Sequence, residues 1–136
     1  MMVEFKEFTR RLGKLPAFIN KIVKRNETLI VEMQKAQQHE GVNKEGGQMQ
    51  SGYSTGYAKR RRKSGLQTSY VDLHFTGKMH KGLKVQPVKG GVDVRSKEPY
   101  EYYVRGNFPK SFGLTEPNAE LLADKLAVEI EKFLVG

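Results

Sequence analysis

The chain has 136 residues and carries 24 Lys and Arg against 15 Asp and Glu, a formal net charge of +9. Its 38% hydrophobic content allows a modest core in one domain over residues 1–136, and no apolar run approaches the roughly 20 residues that a membrane span requires. The lack of cysteine excludes disulfides and thiolate metal ligands, and the 3 histidines contain no ligand pair at helical spacing, so we expect no metal and no cofactor.

The positive charge is concentrated in the first half of the chain. Residues 1–65 carry 14 Lys and Arg against 6 Asp and Glu, whereas residues 66–136 carry 10 against 9. This asymmetry predicts a surface that meets a polyanion or an acidic partner, although solvated cationic faces are common and charge alone does not indicate a nucleic-acid binder. The first eight residues include two glutamates and no long apolar segment, so we expect no signal peptide.

Two amphipathic helices are predicted at the start of the chain. The first covers residues 3–12 and ends near Gly13. The second has Pro16 in its first turn and continues for about 20 residues to residue 37. Its apolar stripe consists of Leu15, Phe18, Ile19, Ile22, Val23, Leu29, Ile30, Met33 and Ala36. The stripe lacks three heptads with charged flanking positions, which indicates a helix that covers a sheet rather than a coiled coil.

A glycine-rich segment over residues 39–56 separates these helices from the rest of the chain. Its five glycines and scarcity of apolar residues predict a long loop. Such a loop either becomes ordered against a neighbouring subunit or is a flexible insertion, and the sequence favours neither interpretation. The segment lacks the glycine spacing of a phosphate-binding loop.

Five consecutive cations follow this segment. A short helix is expected to begin near Ser54 or Thr55, because either hydroxyl can accept a hydrogen bond from the first free N–H groups. The cations on it repel one another, so they are predicted to be solvated or to face an anion, and the sequence leaves both interpretations open. They are Lys59, Arg60, Arg61, Arg62 and Lys63.

The strongest strand signal lies between residues 71 and 96. Apolar residues alternate with other residues at Val71, Leu73, Phe75, Leu83, Val85, Val92 and Val94. Gly90 and Gly91 can both adopt positive φ, which tight hairpin turns require, so a β-hairpin is predicted around them. A further strand is predicted over residues 71–75, and the hairpin is expected to be the centre of a small antiparallel sheet.

The last 40 residues predict a tyrosine-rich helix, an aromatic loop and a final helix. The first helix lies within residues 97–106, and its tyrosines are typical of interfaces, although Tyr103 with Val104 also fits a core position. The loop over residues 107–114 is anchored by two phenylalanines. Thr115 can cap the final helix, whose buried stripe is predicted to be Ala119, Leu122, Ala123, Leu126, Ile130, Phe133 and Leu134.

These elements predict an α+β fold in which a small antiparallel β-sheet with a central hairpin packs against a long N-terminal helix and a C-terminal helix. No acidic residue or histidine is placed by the sequence on one face with a nucleophile. We therefore expect that the protein is not an enzyme.

Several short motifs, taken in order, resemble a bacteriophage family. They are G-Y-S-T-G-Y-A-K-R-R-R-K-S-G, V-D-L-H-F-T-G-K-M, L-K-V, V-D-V-R-S, Y-E-Y-Y-V-R-G and F-P-K-S-F-G-L-T-E-P-N, and they cover roughly residues 50–136. Their order and spacing resemble those of the tail-completion, or virion morphogenesis, proteins that join head to tail. The long N-terminal helical part, the glycine-rich loop and Lys110, where the family more often has arginine, differ from that pattern.

The resemblance implies a structural virion protein at the neck, or at the head-proximal end of the tail, that is assembled in the host cytoplasm. Such a protein forms a homo-oligomeric ring, with a hexamer favoured and a dodecamer as the alternative, through which the genomic DNA passes. Its other partners would be the neighbouring portal or adaptor and tail proteins, with no membrane. The alternatives are a basic nucleic-acid-binding accessory protein and, third, a small RNase similar to toxins.

Two sets of residues are assigned roles on this interpretation. The cations Lys59, Arg60, Arg61, Arg62 and Lys63 are predicted to contact DNA in the channel or an acidic partner. The subunit interface is predicted to contain Tyr100, Tyr102, Tyr103, Phe108 and Phe112.

Overall fold

The computed structural model describes residues 3–49, 53–74, 77–88, 91–99 and 101–136, and it confirms the α+β class. Its helices in these ranges are α1 (Phe5–Gly13), α2 (Leu15–Arg25), α3 (Glu27–His39), α4 (Thr55–Lys63), α5 (Lys78–Lys81), α6 (Glu101–Asn107) and α7 (Glu116–Val135). Its strands are β1 (Leu83–Val88) and β2 (Gly91–Ser96). None of these helices is both long and apolar enough to cross a membrane.

The predicted hairpin is confirmed by the pairing of β1 with β2. The two strands are antiparallel, with a register that runs from Leu83 opposite Ser96 to Val88 opposite Gly91. Residues 89 and 90, where the turn was predicted, lie outside the described ranges. The inward side chains follow the predicted alternation, since Leu83, Val85 and Val94 are buried.

The prediction of a strand over residues 71–75 is wrong for residues 71–74, which form no β-sheet hydrogen bonding with another strand in the described chain. Leu73 has a φ of 59°, a left-handed conformation that interrupts an extended strand. The Asp72 side chain accepts a hydrogen bond of 2.9 Å from the N–H of His74, which closes a local turn. Apolar alternation here therefore belongs to a folded loop, and Phe75 lies outside the described residues.

The single long helix predicted for residues 15–37 is two helices, α2 and α3, separated by Asn26. The Asn26 amide donates a hydrogen bond of 2.7 Å back to the Ile22 carbonyl, and its backbone has φ −96° and ψ 16°. Asparagine competes in this way with the helical hydrogen bonds, so the helix breaks. The break lets both α2 and α3 pack against β1.

The core lies between the hairpin, α2, α3 and α7. Its buried members are Val23, Ile30, Met79, Leu83, Val85, Val94, Val104, Phe112 and Leu122. The C-terminal helix α7 packs on α1 and α2, where the rings of Phe18 and Phe133 stack with centroids 4.1 Å apart. Thr115 caps α7 as predicted, because its hydroxyl accepts the N–H of Asn118.

Candidate functional site

The basic run forms helix α4, which begins where the sequence predicts. Ser54 caps it by accepting a hydrogen bond from the N–H of Tyr57. At the other end Gly65 has a φ of 73°, and the Leu66 N–H returns to the Arg61 carbonyl, so the chain reverses direction. The reversal brings the segment of residues 66–74 back along the helix.

Arg61 lies at the centre of that returning segment. Its side chain is 1% exposed and donates hydrogen bonds to the carbonyls of Gln67 and His74. Its Nη2 forms an ion pair of 3.0 Å with Asp72 Oδ1, and its guanidinium carbon lies 4.3 Å from the ring centroid of Tyr53. The planar guanidinium therefore holds the ends of the segment and its acidic residue together.

The acidic partner of Arg61 is stabilised as a carboxylate. Burial by itself would raise the pKa of Asp72, but hydrogen bonds from Gln67, His74 and Tyr53, together with Arg61, outweigh it and hold that pKa below its usual value. Burial raises the pKa of the Tyr53 hydroxyl to about 12, so the hydroxyl keeps its proton and donates to Asp72 at 3.0 Å. The network is thus one buried cation, one carboxylate and neutral donors.

This burial corrects the prediction for one of the five cations. The sequence indicated that all of them face solvent or an anion outside the subunit, and Arg61 instead faces Asp72 of its own chain. The other four, Lys59, Arg60, Arg62 and Lys63, are exposed. Their role as a contact for DNA or an acidic partner stays a prediction.

Helix α6 presents its tyrosines to the outside. Arg105 fixes the helix on the hairpin by donating to the Val94 carbonyl and to the Glu101 carboxylate, each at 2.7 Å. Tyr102 is 79% exposed and Tyr103 is 64% exposed, and their rings meet edge to face. Tyr100 lies outside the described residues.

The two predicted interface phenylalanines have different positions. Phe112 is 6% exposed, belongs to the core and lies under the Arg105 guanidinium at 4.3 Å. Its assignment to the subunit interface is therefore corrected, since an apolar ring gains most from water exclusion inside the subunit. Phe108 is half-buried and packs against the core.

Three buried glutamines on α3, which sequence reasoning missed, hold the loop of residues 111–115. Gln34 accepts the Gly113 N–H at 2.7 Å, and Gln38 donates to the Ser111 carbonyl at 2.9 Å. Gln37 donates to the Gly113 carbonyl and accepts the Thr115 N–H, both at 2.9 Å. The spacing of these residues at i, i+3 and i+4 on one helix face was the available signal.

The basic helix and the tyrosine helix meet in the structure. A cleft of about 50 Å³ is lined by Tyr53, Tyr57, Leu73, Tyr103, Val104, Asn107 and Phe108. These residues come from α4, α6 and the segments beside them, so Tyr57 of α4 and Tyr103 of α6 border the same cleft. Lys59, Arg62, Lys63 and Tyr102 do not line it.

The three histidines are clustered, which their positions in sequence did not indicate. His39 Nε2 lies 3.3 Å from His80 Nδ1, and the ring of His74 is centred 6.0 Å from that of His80. His80 is 3% exposed, and its Nε2 has no hydrogen-bond partner among the described residues. Burial, with a smaller effect from the neighbouring histidines, lowers the pKa of His80 to about 4.

The cluster is not arranged as a metal centre. Within the described ranges, no group of three His, Asp or Glu side chains is placed to hold a metal ion. The rings of His39 and His80 meet edge to face with centroids 4.5 Å apart, a packing arrangement. The cluster instead ties α3, α5 and the segment before α5 together.

Helix α7 presents a second exposed surface. Leu121 is 60% exposed and Val128 is also exposed, seven residues further along the same side of the helix. Ala119 and Ala123 were predicted to be buried and are exposed instead, because an open groove separates them from β2.

No protein-family model, curated protein or solved structure matches this chain.

Proposed function

We propose that this protein is a structural subunit of a tailed bacteriophage that closes into a homo-oligomeric ring at the neck or tail end, with DNA passing through the ring. The observation that carries the proposal is the presence of two different exposed apolar surfaces, on α6 and on α7. A closed ring needs two unlike, complementary surfaces on each subunit, because its interface is heterologous. The motifs between residues 50 and 136 that resemble tail-completion proteins supply the biological setting.

The exposed side chains are of the kinds that assembly surfaces use. Tyrosine offers a large, rigid and amphipathic contact at small conformational cost, and Tyr102 and Tyr103 project side by side. Large exposed apolar side chains in a chain of 29% charged residues are a cost to solubility unless a partner covers them. A neighbouring copy of the same chain is the partner that a ring supplies.

Replacing Tyr102 with Ala is expected to leave a folded monomer that does not form rings. Because the side chain is 79% exposed, its loss should change the free energy of unfolding by less than about 0.5 kcal/mol. At an interface hot spot the same truncation costs about 2 kcal/mol or more, which weakens each contact roughly 30-fold. Thermal unfolding and light scattering coupled to size exclusion measure both quantities on one sample.

Phe112→Ala is the matched control, since its ring lies in the core beside the same helix. It should lower the melting temperature and leave the interface chemistry intact. A Tyr102→Ala protein that assembles as well as the native chain would remove α6 from the interface.

A nucleic-acid-binding accessory protein is the second candidate, favoured by four exposed cations on the short helix α4. On this alternative, replacing Lys59, Arg62 and Lys63 with Ser should weaken DNA binding by the isolated monomer. The slope of log K against the logarithm of the salt concentration should become less negative by about 3. The proposed ring subunit should instead show weak DNA binding that these changes alter little. Fluorescence anisotropy with duplex DNA at several salt concentrations separates the two functions.

A further inference from the structure

Helix α1 presents an apolar stripe on its outer side. No residue of α1 is buried, and Phe5 is 84% exposed, the highest value among the exposed large hydrophobic side chains of the described chain. Leu12 is 47% exposed and lies two turns further along the same side of the helix. Arg11 fastens another side of α1 to α7 by donating a hydrogen bond of 3.3 Å to the Phe133 carbonyl. The stripe of Phe5 and Leu12 is therefore accessible while α1 stays on its own subunit.

An apolar groove of about 330 Å³ lies between β2 and the first half of α7. Val92 and Val94 form its strand wall, and Ala119, Ala123 and Leu126 form its helical wall. The two alanines are small and exposed, so the groove has room for larger side chains from outside. Its helical wall spans seven residues, about 10 Å, which is the same length as the stripe on α1.

The charges beside the stripe and the groove are opposite. Residues 4–14 carry four Lys and Arg against two Glu, a net charge of +2, whereas residues 116–124 carry three acids and no cation. The acids are exposed, and none of them forms an ion pair in the described part of the chain. They are Glu116, Glu120 and Asp124. Lys6 of α1 is also exposed and has no ion pair with a described acid.

The positions of these charges decide the direction in which the two helices can pair. Successive residues turn by about 100° around a helix, so the three acids lie clockwise of Ala119 and Ala123 when α7 is viewed from its N-terminus. In the same view of α1, Lys6 lies clockwise of Phe5 and Leu12. Two helices that face each other bring their clockwise sides together only when they are antiparallel. An antiparallel α1 places Leu12 near Ala119, with Phe5 about 10 Å further along α7.

We infer that the groove between β2 and α7 of one copy receives the Phe5 and Leu12 stripe of α1 from the next copy, with the two helices antiparallel. An amphipathic helix that lies in an apolar groove is a common form of recognition, and the facing acidic and basic edges add selectivity. The stripe and the groove are different surfaces, so the contact is heterologous and can repeat around a ring. The inference rests on the proposed ring and adds α1 to its interface.

The first test removes the stripe with the variant F5S/L12S of the full chain. Because both side chains are exposed, the variant should fold and keep its thermal unfolding transition. The protein concentration at which rings form should rise about 30-fold or more, as for truncation at an interface hot spot. The matched control V88S removes an exposed apolar side chain from β1 and should assemble like the native chain. Circular dichroism and light scattering coupled to size exclusion measure both properties.

The second test determines the direction of α1 by disulfide formation, since the native chain has no cysteine. A disulfide forms only between residues whose Cα atoms lie within about 7 Å. Chains with A119C are mixed with chains that carry either L12C or F5C, and the mixtures are oxidised mildly. The antiparallel arrangement predicts that A119C joins L12C and not F5C. Mass spectrometry of the linked peptides identifies the pair and separates it from links between identical chains.

The outcomes separate this inference from the proposed function. If the native chain and V88S are both monomeric at every concentration measured, the ring is refuted and the inference with it. If both form rings and F5S/L12S forms them at the same concentration, α1 is not part of the interface and the ring stands. Rings in which A119C joins F5C, or neither partner, would overturn the antiparallel docking. Binding to anionic phospholipid vesicles that F5S/L12S loses while its rings persist would assign the stripe to a lipid surface instead.

Discussion

Replacing Arg61 with Ala is expected to lower the free energy of unfolding by about 3–5 kcal/mol, the usual cost of breaking a buried ion pair by removing one partner. The change leaves Asp72 without its cation and frees the carbonyls of Gln67 and His74. It also removes the cation that stacks on Tyr53. Urea unfolding followed by circular dichroism measures the loss.

The neighbouring Arg62 supplies the control, because its side chain is exposed and its replacement by Ala should change stability by less than about 0.5 kcal/mol. The double variant R61M/D72N should lose less stability than the sum of its two single changes, since no unpaired charge is left in the interior. Equal effects of Arg61→Ala and Arg62→Ala would show that the buried network does not stabilise the fold.

The second large expected effect is a loss of folding stability at low pH, caused by His80. His80 has a pKa of about 4 in the folded chain, below the ordinary value of 6.5 that it regains on unfolding. Between pH 6.5 and about 4, His80 is therefore protonated in the unfolded chain and neutral in the folded chain. The free energy of unfolding consequently falls as the pH drops through this range. At about 1.4 kcal/mol per pH unit, the loss across this window is about 3 kcal/mol.

His80→Gln removes the titrating group, so this variant should show a flatter dependence of unfolding free energy on pH between 6.5 and 4.5. His39→Gln is the comparison variant, because it removes the neighbour of His80 Nδ1 and leaves His80 buried. Since burial is the larger cause of the lowered His80 pKa, this variant should keep most of the native slope. The predicted result is a slope that differs between native and His80→Gln proteins by about 1.4 kcal/mol per pH unit. Parallel pH profiles for these two proteins would contradict the account of His80.

The parts of the fold that the sequence predicts well are those fixed by local chemistry. The caps at Ser54 and Thr115 and the alternation at Val85 and Val94 depend on residues close together in the chain. A cap needs only a hydroxyl and an N–H group about three residues further on. The alternation at Val85 and Val94 forms strands because the two segments are neighbours in sequence and pair with each other.

The errors arise where residues far apart in sequence decide the structure. The apolar alternation at residues 71–74 predicted a strand, but Arg61 takes the carbonyl of His74 and Leu73 turns left-handed. The histidines and the glutamines of α3 meet their partners only after folding. The spacing of the glutamines indicates a shared helix face, but it does not indicate that the loop of residues 111–115 packs on that face. Of the residues that the sequence assigned to an interface, Tyr102 and Tyr103 are exposed, whereas Phe112 is buried in the core.

The burial of Arg61 also changes how the basic helix is understood. One cation is used to fold the segment of residues 66–74 against α4, and this orients Lys59, Arg62 and Lys63 outward on a rigid support. A charged surface held in this way can select a partner by geometry as well as by sign. The buried network that stabilises the subunit therefore also fixes the orientation of these three cations.

Electron microscopy of the purified chain in negative stain, with its mass measured by light scattering on the same sample, tests the ring most directly. We expect closed rings with a central opening and a mass that is a multiple of 15.5 kDa, about 93 kDa for a hexamer. A uniform 15.5 kDa monomer at every protein concentration measured would contradict it.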